Sequence, residues 1–350
     1  MRILAKLITK DPVFSLSVLT LVLISMLVLN SISPSIFPVY YFYVILSFFV
    51  FIFFVSVDYK ILATFYWHFY VLSIILLILP LIIGQITRGA IRWIPLGPIT
   101  IQTSEIVRPF LLIFFSVYAT SEEIRIKKLF KLVVLTLIPV SLILIQPSLG
   151  VSIITALGII GIVLTSKMNK KLLLSILVLI PLIVPLFWFM LAPYQRDRIS
   201  GFINPQIDSL GAGYNSIQST ISVGSGKIFG RGLGKGIQTQ LAFLPEKHTD
   251  FIFAAIAEEL GLVGAGIVLI CLFNILFRIT KYIEISSNPK RAYLIGVLFV
   301  ITAETVIHLG MNMGLLPITG LPLPLVSAGG SALLSTSISL AIAVGKRQSS

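Results

Sequence analysis

Asp250 is the residue in this chain best placed to do chemistry. It closes the polar run LAFLPEKHTD (241–250) and leads straight into the apolar stretch FIFAAIAEELG (251–261). A carboxylate at the mouth of an apolar helix is costly and implies a task, and an ionised aspartate can accept a proton. Upstream, Lys227, Arg231 and Lys235 recur every fourth residue in GSGKIFGRGLGKG, and Lys247 stands just before Asp250. Glycines let a backbone approach a ligand closely. Successive backbone N–H groups with basic side chains suit a diphosphate. A basic loop lying on a lipid surface accounts for the same residues without any ligand, so two readings stand. A nucleotide P-loop is excluded, because Phe229 replaces the first required glycine and Gly236 follows Lys235 where Ser or Thr is needed.

Other charged residues sit at the edges of apolar runs or inside them. Glu105 and Arg108 share a helix face at i,i+3 spacing, which fits an ion pair that lets both enter a membrane. Arg92 and Trp93 suit the headgroup level, either as an anchor or as a substrate contact. Glu258 and Glu259 follow Asp250 by about two helical turns, roughly 12 Å, and are expected to face polar partners inside a bundle. Glu304 and His308, at i,i+4, are expected to form a buried pair. The chain has three histidines, one cysteine (Cys271) and no HExxH, CxxC or GxSxG motif. A zinc enzyme, a serine hydrolase and an internal disulfide are therefore unsupported.

The elements that must position these residues are membrane helices. The chain is 57% hydrophobic and only 11% charged, with a mean hydropathy of +1.05, against about 25% charged in soluble domains. Ten apolar runs can be counted, at 13–30, 38–57, 65–84, 106–120, 130–146, 150–165, 172–192, 251–278, 293–313 and 325–345. Each approaches the roughly 17–25 residues that cross a bilayer. The first is longer than a signal-peptide core of about 7–15 residues and is read as a retained span. The expected fold is all-α and polytopic, a single membrane domain over 1–350 with one large loop at about 193–250.

A net charge of +13 would suit nucleic acid, but most basic residues lie in short loops between apolar runs. That is the positive-inside pattern of a membrane protein. It places both termini in the cytoplasm and 193–250 outside, and no nucleic-acid partner is expected. Pro95, Gly97 and Pro98 mark a turn within 84–105. The proline-rich block NMGLLPITGLPLPLVSAGGSALL (312–334) reads as a broken, re-entrant segment walling a groove beside Asp250.

Four blocks resemble one family: IRWIPLGPITIQTSE (91–105), GYNSIQSTISVGSG (213–226), LAFLPEKHTDFIFAAIAEELGLVG (241–264) and NMGLLPITGLPLPLVSAGGSALL (312–334). They lie in the order of the SEDS proteins (shape, elongation, division and sporulation) and look more like RodA than FtsW. The resemblance departs at Thr103 and Arg108, where the family usually carries Pro and Lys.

The resemblance implies a peptidoglycan glycosyltransferase in the bacterial cytoplasmic membrane. Its substrates would be lipid II and the undecaprenyl-diphosphate-linked glycan. In that reading Asp250 is the base, and Lys227, Arg231, Lys235, Lys247, Arg92, Glu105 and Arg108 are the candidate substrate contacts. A divalent cation, Mg²⁺ or Mn²⁺, would suit the diphosphate. The implied partners are a class B penicillin-binding protein with one membrane anchor and other membrane proteins of the elongation or division complexes. Gly261, Gly264, Ala265 and Gly266 could pack such an anchor or serve internal packing. A flippase of lipid-linked precursors is the alternative, drawing on Glu258, Glu259, Glu304 and His308.

Overall fold

The computed structural model describes residues 11–83, 85–87, 90–97, 99–169, 172, 196, 198, 200–202, 212–241 and 243–345. Helices dominate: α1 (Pro12–Ile32), α2 (Phe37–Ser56), α3 (Tyr59–Thr64), α4 (Tyr66–Ile83), then α5 (Thr103–Ile106), α6 (Arg108–Thr120), α7 (Ile126–Ile145) and α8 (Leu149–Leu164). Further along come α9 (Ala212–Ser225) and α10 (Ile237–Gln240), both within the stretch read as the large loop at about 193–250, then α11 (Ile252–Glu284), α12 (Lys290–Asn312) and α13 (Gly330–Val344). Six of those described, α1, α2, α4, α7, α11 and α12, are long and apolar enough to cross a membrane, and α8 and α13 are shorter apolar helices. The protein is a helical membrane protein, as its composition predicts. The run expected at 172–192 lies outside the described residues apart from Leu172.

α1 shows how the sequence builds these spans. Asp11 caps it by accepting from the Phe14 amide at 3.1 Å, and Pro12 occupies the first turn, where its missing N–H costs nothing. Phe14, Ser17, Leu21, Ser25 and Val28 are buried, while Leu16, Leu19, Leu23 and Leu27 are exposed on the other side. A helix apolar on both faces belongs in lipid. Small hydroxyl residues on its inner face permit close packing, and Ser25 Oγ meets the Tyr40 hydroxyl at 2.7 Å and the Val326 carbonyl at 2.5 Å. At the other end of the bundle, Arg278 of α11 pairs with Asp11 at 2.6 Å.

The turn expected around Gly97 is present, and the segment on either side of it is a small antiparallel sheet, a departure from an all-helical chain. β1 (Gln85–Thr87), β2 (Ala90–Leu96) and β3 (Ile99–Gln102) pair in sequence order, with Trp93 opposite Gln102 and Leu96 opposite Ile99. Alternating isoleucines and Trp93 favour strands here, and Gly97 takes the positive φ of +65° that the tight β2–β3 connection needs. Tyr43 of α2 moors the sheet, accepting from the Thr100 amide at 2.9 Å and donating to the Thr100 carbonyl at 2.6 Å.

Residues 313–329 form the expected non-helical segment, and the last helix starts at Gly330 rather than near 325. α11 is broken at Gly261, whose φ is +68° and ψ −165°. Its first part, Ile252–Glu259, is buried at every position, whereas Leu262, Ile270, Phe273 and Phe277 further along are exposed.

Candidate active site

Asp250 lies just outside α11, and the chain around it is held by its backbone. The amides of Thr249, Asp250 and Phe251 all donate to the Glu246 carbonyl at 3.1, 3.1 and 3.3 Å. Three successive carbonyls are taken by the end of α12 and the segment that joins it to α13. His248 O accepts from the Ala328 amide at 2.9 Å, Thr249 O from Ser327 Oγ at 2.8 Å, and Asp250 O from Asn312 Nδ2 at 2.9 Å. The proline-rich block thus walls the Asp250 segment, as its sequence suggested. The helix cap position belongs to Phe251, whose side chain makes no capping bond.

The electrostatics of the carboxyl follow from its setting. Asp250 keeps partial access to solvent while protein closes around most of it. Burial, with the Glu246 carboxylate adding to it, pushes its pKa up to about 6; Arg198, Arg92 and a Thr249 hydrogen bond pull the other way. At pH 7 it is still ionised by about ten to one. Gly320, at φ +72°, forms one side of the site: a Cβ there would lie 3.6 Å from Asp250 Oδ2 and 3.9 Å from Arg198 Nη1. Arg198 also donates to Ile318 O at 3.5 Å and, with Phe202, Ser216, Leu316 and Ile318, lines a shallow recess. Arg92, on β2, reaches Pro147 O at 3.4 Å and stacks on Trp93 with 5.8 Å to the ring centroid.

Of the candidate substrate cations, Arg92 is close enough to lower the Asp250 pKa, whereas Lys247 is engaged elsewhere. Lys247 Nζ bonds the Thr239 carbonyl and faces Glu259 and Glu258; burial lowers its pKa against the pull of those two carboxylates. Arg198 was missed, because in sequence it was one basic residue among many in a long loop.

The glycine-rich loop has a different use for its backbone from the one its composition suggested. At the α11 break, the carbonyls of Glu258 and Glu259 accept from the Arg231 and Gly232 amides at 2.9 and 3.0 Å. The amides of Leu262 and Val263 donate to the Lys227 and Ile228 carbonyls at 2.9 and 3.1 Å. The loop therefore supplies the hydrogen bonds that the helix gives up. The glycines permit close approach to a helix: a Cβ on Gly226 would lie 1.7 Å from Ala257 O, and one on Gly261 2.2 Å from Gly230 N. Gly261 is thus committed to this joint rather than to a partner's anchor.

The two glutamates of α11 do find polar partners. Glu258 accepts from the Gln238 and Thr239 amides at 2.9 and 3.0 Å, and Glu259 from Ser31 Oγ, Gln240 Nε2 and the Gly234 amide at 3.0, 3.0 and 3.2 Å. Lys227, Arg231 and Lys235 have exposed side chains. Arg231 Nε stands 4.0 Å from Glu258 Oε1, two turns along α11 from Asp250. The structure does not bring these three cations to the carboxylate.

Within the bundle, Arg108 Nη2 lies 2.6 Å from Glu105 and 2.8 Å from Glu304, all three buried. The expected i,i+3 pair forms and gains a third member. The expected Glu304–His308 pair does not: Glu304 turns to Arg108, and His308 Nδ1 lies 2.8 Å from the Leu321 carbonyl. The guanidinium, with several donors, is the better partner for a buried carboxylate. No group of three or more His, Cys, Asp or Glu side chains among the described residues is arranged to hold a metal ion. What the site offers is an ionised carboxylate within electrostatic reach of two arginines, with partial access to solvent.

Comparison with known proteins gives the family of the chain. A family model described as cell cycle protein, covering FtsW, RodA and SpoVE, matches residues 5–348. The peptidoglycan glycosyltransferase MrdB of Escherichia coli K12 is 38% identical over 272 residues, covering 76% of this chain and 73% of its own. A probable peptidoglycan glycosyltransferase FtsW of Francisella salina is 36% identical over 314 residues, covering 87% and 77%. Among solved structures, a chain of a peptidoglycan synthase complex that coordinates polymerization and crosslinking superposes with a TM-score of 0.82 at 28% identity, covering 95% of each chain. The Thermus thermophilus rod shape determining protein RodA shares the fold, with a TM-score of 0.69 at 24% identity, covering 95% of this chain and 94% of its own. With a full-length family match and relatives of this identity, the chain belongs to the SEDS family of FtsW, RodA and SpoVE.

Proposed function

We propose that this protein is a peptidoglycan glycosyltransferase that polymerises lipid II into glycan strands for cell shape or division. The observation that supports the mechanism is the Asp250 carboxylate, just outside α11 and within electrostatic reach of Arg92 and Arg198. In the reaction the hydroxyl of one lipid-linked sugar attacks the anomeric carbon of the growing glycan. Asp250 takes the hydroxyl proton as the new glycosidic bond forms. The bond to the undecaprenyl diphosphate breaks, and its electron pair leaves with the diphosphate, whose charge Arg92 and Arg198 offset. A divalent cation, Mg²⁺ or Mn²⁺, would arrive on that diphosphate. Lys227, Arg231, Lys235 and Lys247 remain candidates for phosphate contact along the loop, apart from the reacting centre. Glu105 and Arg108 act by holding α5 and α6 against α12.

The distribution of basic residues supports a bacterial cytoplasmic membrane location with both termini cytoplasmic and Asp250 outside. The likeness to a synthase-complex chain supports a class B penicillin-binding protein as partner, alongside other elongation or division proteins. The flippase alternative drew on Glu258, Glu259, Glu304 and His308, and each of these engages protein groups. The deciding experiment supplies labelled lipid II to the purified protein. Gel-resolved glycan polymer is the expected product, and lipid transfer between leaflets without polymer would replace this reading with the flippase.

A further inference from the structure

The first turn of any α-helix leaves backbone amides without partners, and a Ser, Thr, Asp or Asn at the cap position usually supplies one. α11 has Phe251 there, which cannot. The missing acceptor comes from another helix: Asn312 Oδ1, at the end of α12, accepts from the Ala254 amide at 3.0 Å. The same side chain donates through Nδ2 to the Asp250 carbonyl at 2.9 Å and to its own helix at His308 O, 2.8 Å. Asn312 is fully buried, and both ends of its amide are used. A carboxylate one residue further along, at position 251, would be committed to capping the helix. At 250, with the cap supplied from outside, it is not.

We infer that Asn312 is a positioning residue for the reaction at Asp250: it caps α11 from α12, fixes the Asp250 carbonyl and so leaves the carboxylate available at a set place. This rests on Asp250 being the base. The charged groups facing Asp250 are Glu246 on its own loop, Arg198 and Arg92 on β2. His248 lies 3.8 Å from Glu246, and the α12–α13 connection, 313–329, carries no titratable side chain. Loosening the segment admits water to the carboxylate and misplaces it by a fraction of an ångström or more, and a shift of about 1 Å can cost on the order of 10²-fold.

The test is steady-state polymerisation of labelled lipid II by the purified full chain across pH, comparing Asn312→Ala, Asn312→Ser and Ser219→Ala. Ser219 Oγ bonds the backbone carbonyl of Asn312 at 2.9 Å, so its loss perturbs the same place without releasing Asp250. Both Asn312 variants should lose at least about tenfold in kcat with KM little changed. The acid limb of kcat should move down from about 6 toward the ordinary aspartate range, while Ser219→Ala keeps the wild-type limb. If one Asn312 variant does not accumulate, the other carries the test. Unchanged kcat, or a loss of equal size at every pH with an unmoved limb, overturns the inference and makes Asn312 merely structural. Asp250→Asn separates the two claims. An active Asp250→Asn enzyme refutes the base itself, whereas an inactive one beside unaffected Asn312 variants refutes only the positioning role.

Discussion

The Arg231 amide donates to the Glu258 carbonyl at 2.9 Å, in the place where an unbroken helix would use the amide of Leu262. That one bond explains why a glycine-rich basic loop and a buried glutamate pair occur in the same protein. The loop enters the break in α11, and Glu258 and Glu259 then hold its amides from below. The stretch Ile252–Glu259, fixed by Asn312 at one end and by the loop at the other, becomes a rigid platform behind Asp250.

Side chains at the joint should not be tolerated. Gly226→Ala would place a methyl against a backbone carbonyl, and Gly261→Ala would do so at a positive φ as well. Each should cost several kcal/mol, about 1–3 for overpacking alone and as much again for backbone strain at Gly261. Gly224, which has open space around its Cβ position, is the control. Thermal unfolding of the purified variants should show a marked fall in Tm for the first two and none for Gly224→Ala. An unaffected Gly226→Ala would mean the loop is not seated in the helix.

Asp250→Asn keeps the size of the side chain and removes the proton acceptor. Abundance and partner binding should stay normal while polymerisation falls by about 10²–10⁴. Retention of more than about a tenth of the wild-type rate would remove Asp250 from the chemistry.

Arg198 and Asp250 should be linked in pH dependence. The ionised carboxylate is the active form, so the rate is present above the pKa of about 6 and lost as pH falls through it. Arg198 lowers that pKa, so Arg198→Gln should move the acid limb upward, opposite to the Asn312 variants. It should also lower the rate about 10–100-fold, since a charged hydrogen bond contributes about 1.5–3 kcal/mol. Neutralising Lys227, Arg231 and Lys235 together should do less and leave the limb in place. A triple variant as impaired as Arg198→Gln would bring the loop into the reacting site.

Arg108 stands between two buried carboxylates at 2.6 and 2.8 Å. Arg108→Ala would leave both unpaired, a loss of about 3–5 kcal/mol, and the protein should accumulate poorly. Arg108→Lys keeps the charge but not the planar fork and should fold with a reduced Tm. Normal accumulation of Arg108→Ala would show that the trio does not hold α6 to α12.

Hydropathy and charge spacing are local properties, so the membrane class and the helices α1, α2, α4, α7 and α12 could be read from the chain itself, within a few residues. Asp250 stood out for the same reason: a carboxylate against an apolar run is visible without any fold. The Glu105–Arg108 pair was legible because three residues along a helix is one turn. The partners of Asp250 were not. Arg92 and Arg198 both come from far upstream in the chain, and Asn312 from beyond α11, with nothing periodic in sequence to connect them. The glycines at 226, 230 and 232 looked equally suited to a phosphate or to a helix backbone, because glycine only removes a steric limit. What fills the space is decided by tertiary packing, and here it is the unpaired carbonyls and amides of α11, which must find hydrogen bonds away from water.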